Sequence, residues 1–454
     1  MFLGRTSELK YLNNCFDREG SQILVVYGQE DVGKTELLKA FSEDKECHYF
    51  RARSASEREL LFNWGQELGN LGIKLLKYPS YLDVFKAITN DAQNKKVIII
   101  DEFQYIIKSS DDFMKELVNF VHSYWQSAPV LVVLCSSSIG FVENSLVNKI
   151  GEAAFELSGF LKIKELGFED MMEFFPGFGM EQCIEAYALL GGVPGLWNHF
   201  NDKHSIKDNI IQYVLEKNAF LYGQGERIVE SELRETGVYN TILAAIAAGN
   251  HKLNDLYLHT EFSRAKISVY LKNLIELELV EKVFSYDTEG KANTQKGIYR
   301  ISNHFVHFYF TYIYPNLSAL ELQTPAEFYK NFIGPTFRTY VAEYFKTVCK
   351  QYIENANKWG KLPIEIEDIG EWVGKLGNID IIAQSAEGKT IIGLCNYDKP
   401  IMRYDDYEWL LFCAEKAKIQ ADYVYLFSVR RFDEKLNLEA KVKQNLKLIS
   451  LEEM

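Results

Sequence analysis

The feature that most constrains this chain is a short loop, bounded by glycines, that directly follows an apolar run. Residues 23–27 are uniformly apolar and predict a buried strand, and the next eight residues read Gly28-Gln29-Glu30-Asp31-Val32-Gly33-Lys34-Thr35. The glycines let the backbone wrap so that successive N–H groups point at one anion, and a helix that begins near Lys34 adds the positive end of its dipole. The pattern therefore predicts a strand, a phosphate-binding loop and a helix.

Separate roles follow from the residue types in this loop. Lys34 is placed to reach the β- and γ-phosphates of a nucleotide, and Thr35 to bring its hydroxyl to Mg²⁺. The other residues expected to surround the phosphates are Gly28, Gln29, Asp31, Val32, Gly33 and Glu36. A chance match in an ordinary strand-turn-helix is the alternative, and the flanking strand and helix argue against it. The predicted cofactors are ATP and Mg²⁺.

A second apolar strand, at residues 97–100, ends in the two carboxylates Asp101 and Glu102. Because ligands of an open α/β sheet collect at the carboxyl ends of its parallel strands, both acids are expected beside the phosphates. We predict that Asp101 supports the Mg²⁺ ion and that Glu102 orients and deprotonates the attacking water. The alternative is that Glu102 only caps the following helix. An acid pair of this kind indicates hydrolysis of ATP to ADP and phosphate.

Further strands are predicted at residues 47–52, 130–136 and 155–157, and three serines end the second of these. Ser136, Ser137 and Ser138 would lie beside the phosphates if this strand is adjacent to the one that ends in Asp101. A hydroxyl there, with Ser137 as the catalytic candidate, is placed to sense the γ-phosphate or the water. The alternative is that the serines cap a turn before Gly140.

Composition limits the class of protein. The chain has 454 residues, 47% apolar and 25% charged, which is typical of globular domains. Its longest apolar stretches, such as residues 130–135, are far shorter than the roughly 20 residues of a membrane helix, and its first residues lack a signal-peptide pattern. We therefore expect a cytoplasmic protein with no membrane partner. The scattered, odd number of cysteines (seven) suggests neither a zinc site nor a disulfide framework.

The segment after the predicted sheet contains a glycine-proline corner. Gly191 and Gly192 are expected to end one helix, and Pro194 fits the first turn of the next. Such a corner can bring Pro194 toward the nucleotide, or it can be purely structural.

Residues 226–316 predict a winged helix. Three helices are expected at residues 239–248, 253–259 and 263–277, followed by strands at 279–284 and 297–301 around a polar segment, 287–296. Arg264 and Lys266 open the third helix, where such folds place base-reading side chains. Residues 251–300 nevertheless hold eight Lys and Arg against seven Asp and Glu, and the whole chain carries −13. DNA binding and protein docking therefore remain alternatives.

The last third of the chain follows an aromatic run at residues 305–315, which is expected to be core rather than a base-stacking surface. A helical pattern then continues through residues 336–345. Strands are predicted at residues 379–384, 390–395 and 423–428, with a helix at 407–417. Asp380 lies on an otherwise apolar strand, where an acid usually has a metal or an ion pair as its partner.

Together these segments resemble the prokaryotic and largely archaeal AAA+ (STAND-like) P-loop ATPases with a winged helix and a restriction-endonuclease-like C-terminal domain. The resemblance is carried by Phe2-Leu3-Gly4-Arg5 with Glu8, the loop and acid pair above, the serines after residue 135, Gly192-Val193-Pro194 and the aromatic run ending Tyr314-Pro315. It implies an α/β fold with a P-loop parallel sheet and helical lid at residues 1–225, a winged helix at 226–316 and an α/β endonuclease-like domain at 328–454. It also implies that Gly4 and Arg5 face the adenine side of the nucleotide.

The chain departs from the family pattern in two places. Where relatives carry an arginine that acts on the γ-phosphate, residues 147–151 offer only Lys149, which lacks the planar fork that clamps phosphate. In the endonuclease-like part, Asp380 matches the first acid and Glu343 the helix acid. Leu394 and Asn396, however, replace the second acid and the lysine. Because metal-dependent cleavage needs those groups, we predict an inactive nuclease fold.

The leading hypothesis from sequence is an ATP-dependent switch whose hydrolysis is slow or stimulated by a partner, either DNA or a protein. Two rivals remain: a winged-helix DNA-binding regulator, and a nuclease with a relocated acid.

Overall fold

A computed structural model describes residues 3–89, 94–123, 129–286, 297–374 and 376–454. The backbone forms two compact units. The first contains Met1–Leu166 and Val193–Gly195, and the second contains Gly167–Gly192 and Leu196–Met454. The predicted polar segment at residues 287–296 lies outside the described residues.

The first unit is built on a parallel sheet with helices on its two faces. Its strands are β1 (Gln22–Tyr27), β2 (Cys47–Arg51), β3 (Lys96–Asp101), β4 (Val130–Ser136) and β5 (Leu157–Lys162). Its helices are α1 (Thr6–Phe16), α2 (Lys34–Ser42), α3 (Glu57–Asn70), α4 (Tyr81–Thr89), α5 (Gln104–Ser109), α6 (Phe113–Ser123), α7 (Ile139–Asn144) and α8 (Leu146–Ile150). The strand order is β2-β3-β4-β1-β5, and every neighbouring pair is parallel. The predicted α/β class with a parallel sheet is confirmed.

Burial of the central strands explains why their sequences are continuously apolar. Every residue of β1, β3 and β4 is buried, and their side chains enter two separate cores, one on each face of the sheet. A strand covered on both faces has no solvent side that would select alternating polar residues. Because β4 lies between β1 and β3, the ends of all three strands meet at one edge.

One predicted strand is wrong. Residues 155–157 were expected to be extended, but Gly151–Glu156 forms a 3₁₀ helix and β5 begins only at Leu157. Phe155 is 89% exposed. Among the described strands β5 lies at the edge of the sheet, next to β1. Because it is only partly buried, its sequence lacks the continuous apolar signal of the central strands.

From residue 167 onward the chain is helical before it forms a second sheet. Its helices are α9 (Phe168–Phe174), α10 (Met180–Leu190), α11 (Pro194–Trp197), α12 (Ile206–Asn209), α13 (Gln224–Glu232), α14 (Thr236–Ala247), α15 (Leu253–Thr260), α16 (Arg264–Glu276), α17 (His304–Phe308), α18 (Leu317–Leu322), α19 (Pro325–Phe328), α20 (Phe337–Lys358), α21 (Tyr404–Ala417) and α22 (Glu434–Val442). Its strands are β6 (Val280–Val283), β7 (Ile298–Ile301), β8 (Asp368–Val373), β9 (Asn378–Gln384), β10 (Thr390–Asn396), β11 (Ile401–Met402), β12 (Tyr423–Ser428), β13 (Arg431–Phe432) and β14 (Leu446–Ser450). Single π-helical turns follow α12, α17 and α19.

The three helices and two-stranded wing expected in the middle of the chain are present as α14, α15 and α16 with the antiparallel pair β6 and β7. Ser263 caps α16 by accepting a hydrogen bond from the Lys266 N–H at 3.2 Å. The aromatic run is also core as predicted, with Phe305, Phe308 and Phe310 at most 2% exposed.

A mixed sheet of order β14-β12-β10-β9-β8 forms the C-terminal part. β10, β12 and β14 are parallel, whereas β8 and β9 run antiparallel to their neighbours. The predicted strands correspond to β9, β10 and β12, the interior of this sheet. β8 and β14 lie at its two edges and were not predicted, because an edge strand is partly solvated and has a weak apolar pattern. Among the described residues, no helix has the length and apolar character needed to cross a membrane.

Candidate active site at the carboxyl edge of the first sheet

The predicted phosphate-binding loop connects β1 to α2 and curls over the edge where β1, β3 and β4 end. The Gly28 N–H donates to the Ser136 carbonyl of β4 at 3.3 Å, which ties the start of the loop to the neighbouring strand. The loop ends at Gly33, whose φ of +100° favours glycine. Asp31 also adopts a positive φ, 61°. These conformations wrap the loop backbone around the side chain of Lys34.

Lys34 is 7% exposed, and its ammonium lies inside the loop. Its Nζ donates to the carbonyl oxygens of Gly28 at 2.8 Å and of Gln29 at 2.6 Å. A phosphate oxygen is a stronger acceptor for an ammonium than a neutral carbonyl, because both partners are charged. The lysine is therefore held where an entering phosphate can exchange for the carbonyls.

Arg5 supports the same loop from outside. Its guanidinium is 5% exposed, donates from Nη2 to the Val32 carbonyl at 2.8 Å and pairs from Nη1 with Glu8 at 3.1 Å. Gly4, just before it, has a φ of 66°. The structure thus brings Arg5 to the loop backbone, and a role for Gly4 and Arg5 on the adenine side stays a prediction.

Asp101 ends β3 and is 5% exposed. Its Oδ1 accepts the Glu102 N–H at 3.0 Å, and its Oδ2 accepts a hydrogen bond from the Tyr49 hydroxyl. Tyr49 lies on β2 and was missed by the sequence reasoning. Tyr49 reaches Asp101 because β2 pairs with β3. Which strands are neighbours in the sheet cannot be read from the sequence around Tyr49.

Glu102 and Ser137 are in contact, as expected if both act on one water. The Ser137 hydroxyl donates to Glu102 Oε2 at 2.8 Å, the Ser137 N–H does so at 3.3 Å, and the Gln104 amide donates to the same oxygen. Glu102 has a φ of 56°, and it does not cap α5. Ser136 is fully buried and accepts the Ser138 N–H, so Ser137 is the serine that faces the acid.

The glycine-proline corner contacts the loop. α10 ends at Leu190 and α11 begins at Pro194, as predicted. The Gly195 N–H donates to the Asp31 carbonyl at 3.0 Å, and a Cβ on Gly195 would overlap the Asp31 side chain. The corner therefore has close packing against the loop that only glycine permits.

Three carboxylates, those of Glu30, Asp31 and Glu102, lie close together at the loop. Burial raises the pKa of Glu30, and the nearby carboxylates of Asp31 and Glu102 raise it further, while Lys34 and Arg51 oppose the shift. A negatively charged ligand entering such a site needs an accompanying cation.

The residues present fit Mg²⁺. A hydroxyl at Thr35, one buried carboxylate at Asp101, phosphate oxygens and water form the ligand set that Mg²⁺ prefers. Among the described residues there is no cluster of three or more His, Cys, Asp or Glu able to hold a metal.

Three other residues with predicted roles, Lys149, Arg264 and Lys266, are exposed to solvent. Lys149 is exposed on α8. Arg264 and Lys266 are exposed at the start of α16, where Arg264 lies 4.0 Å over the Tyr257 ring and Lys266 lies 4.5 Å over the Phe262 ring.

In the C-terminal sheet, Glu343 and Asp380 come together around a lysine that the sequence reasoning missed. Lys346 Nζ lies 3.3 Å from Asp380 Oδ1 and 3.5 Å from Glu343 Oε2, and the Cys395 N–H donates to Asp380 Oδ2 at 3.0 Å. Asn396 donates to Ser428 Oγ at 3.0 Å and so points to a different partner. Asp380 thus has a cation of the protein, Lys346, as its ion-pair partner.

Gly28→Ala is predicted to damage the loop specifically. A Cβ at this position would overlap the backbone carbonyl oxygen of Ile163, so the loop must shift, at a cost of about 1–3 kcal/mol. We expect a lower melting temperature and nucleotide binding weakened about tenfold, which equals ~1.4 kcal/mol. Gly69→Ala on α3 is the control, because its Cβ would meet nothing within 4 Å in the described residues apart from its chain neighbours and the backbone of its own helix. Equal nucleotide affinity in both variants would contradict this description of the loop.

Comparison with known proteins agrees with this geometry. Residues 2–199 match the family described as an ATPase domain predominantly from Archaea. Residues 309–406 match a family of archaeal and bacterial proteins of unknown function. An uncharacterized protein of Methanocaldococcus jannaschii is 29% identical over 401 residues, which span 86% of this chain and 85% of the relative. An uncharacterized ATP-binding protein of the same organism is 38% identical over 45 residues, 10% of this chain and 76% of that protein.

A solved structure shares the fold. The Walker-type ATPase of Pyrococcus abyssi superposes with a TM-score of 0.50 at 16% identity, covering 68% of this chain and 96% of that one. With the site geometry, it follows that residues 2–199 of this chain form a domain of the ATPase family found predominantly in Archaea, on the fold of a P-loop ATPase.

Proposed function

We propose that this protein binds ATP with Mg²⁺ and works as a nucleotide-dependent switch whose hydrolysis is slow until a partner stimulates it. The observation that carries the proposal is the convergence of Lys34, Asp101, Glu102 and Ser137 on one edge of the first sheet. A loop that binds phosphate, a metal carboxylate and a second acid beside a hydroxyl are the parts that phosphoryl transfer to water requires.

Each side chain has a task in this mechanism. Lys34 and the loop N–H groups bind the β- and γ-phosphates, while Thr35 and Asp101 would hold Mg²⁺, which neutralises charge that develops on the phosphate oxygens. Glu102 accepts the proton of the attacking water. The Ser137 hydroxyl donates a hydrogen bond to Glu102 Oε2 at 2.8 Å, and so fixes the position of the Glu102 carboxylate relative to the phosphates.

Two observations support slow turnover. Glu102 Oε2 already accepts three hydrogen bonds, from the Ser137 hydroxyl and N–H and from the Gln104 amide, so this oxygen must release one of them before it can accept a hydrogen bond from the attacking water. Lys149, the only cation in the segment where relatives carry an arginine, is exposed on α8 and offers a point charge instead of a bidentate clamp. We propose that a partner supplies the missing stabilisation.

The corner at Val193–Gly195 is the element we propose to report the nucleotide state. The Gly195 N–H donates to the Asp31 carbonyl of the loop. If phosphate binding moves the loop, this hydrogen bond transmits the movement to the corner. The chain N-terminal to the corner is α10, whose Glu181 binds both Arg338 at 3.0 Å and Arg430 at 2.8 Å. A movement of the corner is therefore expected to pass along the chain into α10, the helix that Arg338 and Arg430 bind through Glu181.

Titration of the purified protein with ATP in the presence and absence of Mg²⁺, followed by phosphate release with and without duplex DNA or cell extract, tests the proposal. We expect binding in every case, slow basal release, and faster release with one of the additions. Absence of ATP binding would remove the proposed function. Rapid release from the protein alone would remove its slow, partner-dependent part.

A second candidate function is DNA binding through the winged helix. It is favoured by the exposure of Arg264 and Lys266 on the first turn of α16, where they are free of carboxylate partners in the described residues.

For this candidate, Arg264→Ala with Lys266→Ala is expected to weaken binding to duplex DNA and to reduce the salt dependence of log K by about one to two units, because each phosphate contact contributes roughly 0.9. Lys272→Ala is the control, since this lysine is on the same helix but pairs with Glu276 at 3.6 Å. If wild-type protein fails to bind duplex DNA at low salt, the candidate function is wrong.

A further inference from the structure

The Tyr49 hydroxyl and the carboxylate of Asp101 form a contact that the roles above do not include. Tyr49 lies on β2, whose register pairs it with Ile99 of β3, so its ring extends along β3 toward the carboxyl end of the sheet. There the hydroxyl donates to Asp101 Oδ2. The other oxygen of Asp101, Oδ1, accepts the N–H of Glu102 at 3.0 Å. The carboxylate is therefore held from both sides.

We propose that Tyr49 is a positioning residue, which holds the Asp101 carboxylate in the orientation needed to bind Mg²⁺ with ATP. This inference rests on the proposed function. It extends that function by adding Tyr49 of β2 to a site otherwise built from the loop after β1 and the ends of β3 and β4.

The orientation of a carboxylate about its terminal bond is only broadly defined, so a lone Asp side chain at a strand end is free to rotate. A phenol is protonated at neutral pH and donates to an ionised carboxylate, which makes a strong and directional hydrogen bond. With Tyr49 on Oδ2 and the backbone on Oδ1, the plane of the Asp101 carboxylate is fixed before a metal arrives. Removing a group that holds a metal ligand in this way typically lowers metal affinity or activity by roughly 10–100-fold.

The same contact extends to the second acid. Glu102 has a φ of 56°, a conformation that a side-chain-bearing residue adopts only when its surroundings impose it. The hydrogen bond from its N–H to Asp101 Oδ1 is one of those constraints. Fixing Asp101 therefore also fixes the backbone from which the Glu102 side chain reaches Ser137.

Burial in the core does not explain why a tyrosine stands at position 49. The residue is 40% exposed, whereas Phe50 beside it points into the core and is 1% exposed. Phenylalanine at position 49 would keep the ring and its contacts, so removing the hydroxyl tests the hydrogen bond and little else.

The experiment measures the affinity of wild-type and Tyr49→Phe protein for a fluorescent, non-hydrolysable ATP analogue as Mg²⁺ is increased from an EDTA-treated start. We expect equal affinity without metal, an unchanged melting temperature, and a Mg²⁺ concentration for half-maximal enhancement that is raised about tenfold in the variant. The control is Tyr78→Phe, because Tyr78 is 52% exposed and its ring lies 4.1 Å from the Arg58 guanidinium.

The possible failures are distinguishable. An identical Mg²⁺ dependence in Tyr49→Phe and wild type would overturn the positioning role while leaving nucleotide binding intact. A loss of affinity already present in EDTA would also overturn it, since the defect would then not concern the metal carboxylate. No analogue binding by the wild-type protein with Mg²⁺ would overturn the proposed function and this inference with it.

Discussion

Lys34→Ala is expected to lower the affinity for ATP by about 100-fold or more, equivalent to ~3 kcal/mol or more. The ammonium lies inside the loop on the carbonyls of Gly28 and Gln29, so a bound triphosphate would meet it at the centre of its site. Charge-assisted bonds to phosphate are worth roughly 1.5–3 kcal/mol each, and no other residue in the loop carries a positive charge. Equilibrium titration with ATP and Mg²⁺ measures the loss.

Lys39→Ala provides a matched control for this variant. Lys39 is on the same helix, is exposed, and forms a surface ion pair with Glu36 at 2.8 Å. Because such exposed pairs contribute little, its removal should leave both folding and nucleotide affinity essentially unchanged. Comparable ATP affinity in Lys34→Ala and Lys39→Ala would mean that the loop does not bind phosphate.

Glu102→Gln is expected to retain ATP binding but lower the rate of hydrolysis by about 100-fold or more, the range typical of general acid–base catalysis. Glutamine keeps the length of the side chain and its carbonyl oxygen can still accept the Ser137 hydroxyl, so the local structure is preserved. What it loses is the ability to take a proton from water. Single-turnover phosphate release, measured alongside nucleotide affinity, separates the two effects.

Glu152→Gln is the control for Glu102→Gln, since Glu152 is an exposed acid of the same unit in the 3₁₀ helix before β5. Its rate and affinity should match those of wild type. If Glu102→Gln hydrolysed ATP at the wild-type rate, another group would have to be the base and the assignment of Glu102 would be wrong.

The parts of the site that were predictable from sequence are those with local signatures. The loop from Gly28 to Thr35 sits between a strand and a helix within one short stretch of chain, and Asp101 with Glu102 directly follows a continuous apolar strand. Such patterns need no knowledge of which strands are neighbours. The roles of these residues in binding and catalysis remain predictions, to be tested by the experiments above.

The contacts that were not predictable depend on pairing between distant segments. Tyr49 reaches Asp101 only because β2 is adjacent to β3, and Gly195 reaches Asp31 only because the corner returns to the loop. Lys346 likewise meets Asp380 because α20 packs on β9, a relation that spacing along the chain does not reveal. The wrong strand at residues 155–157 has the related cause that edge strands lack a continuous apolar pattern.

In the C-terminal sheet, the structure adds contacts that the sequence interpretation did not include. Leu394 and Asn396 do replace the acid and lysine that a metal-dependent nuclease needs, and the structure adds that Asp380 is bonded to Lys346 and to the Cys395 N–H. Asp380 is buried and Lys346 is partly buried, so removing the lysine would leave an uncompensated charge on the aspartate. The pair therefore supports a structural role for Asp380, and an inactive nuclease fold remains our proposal.

The most direct test of the central claim is a crystal structure of the protein with Mg²⁺ and a non-hydrolysable ATP analogue. The account predicts that the triphosphate fills the loop between β1 and α2 and that Lys34 Nζ leaves the Gly28 and Gln29 carbonyls for the β- and γ-phosphates. A nucleotide bound elsewhere, with Lys34 still on those carbonyls, would contradict it.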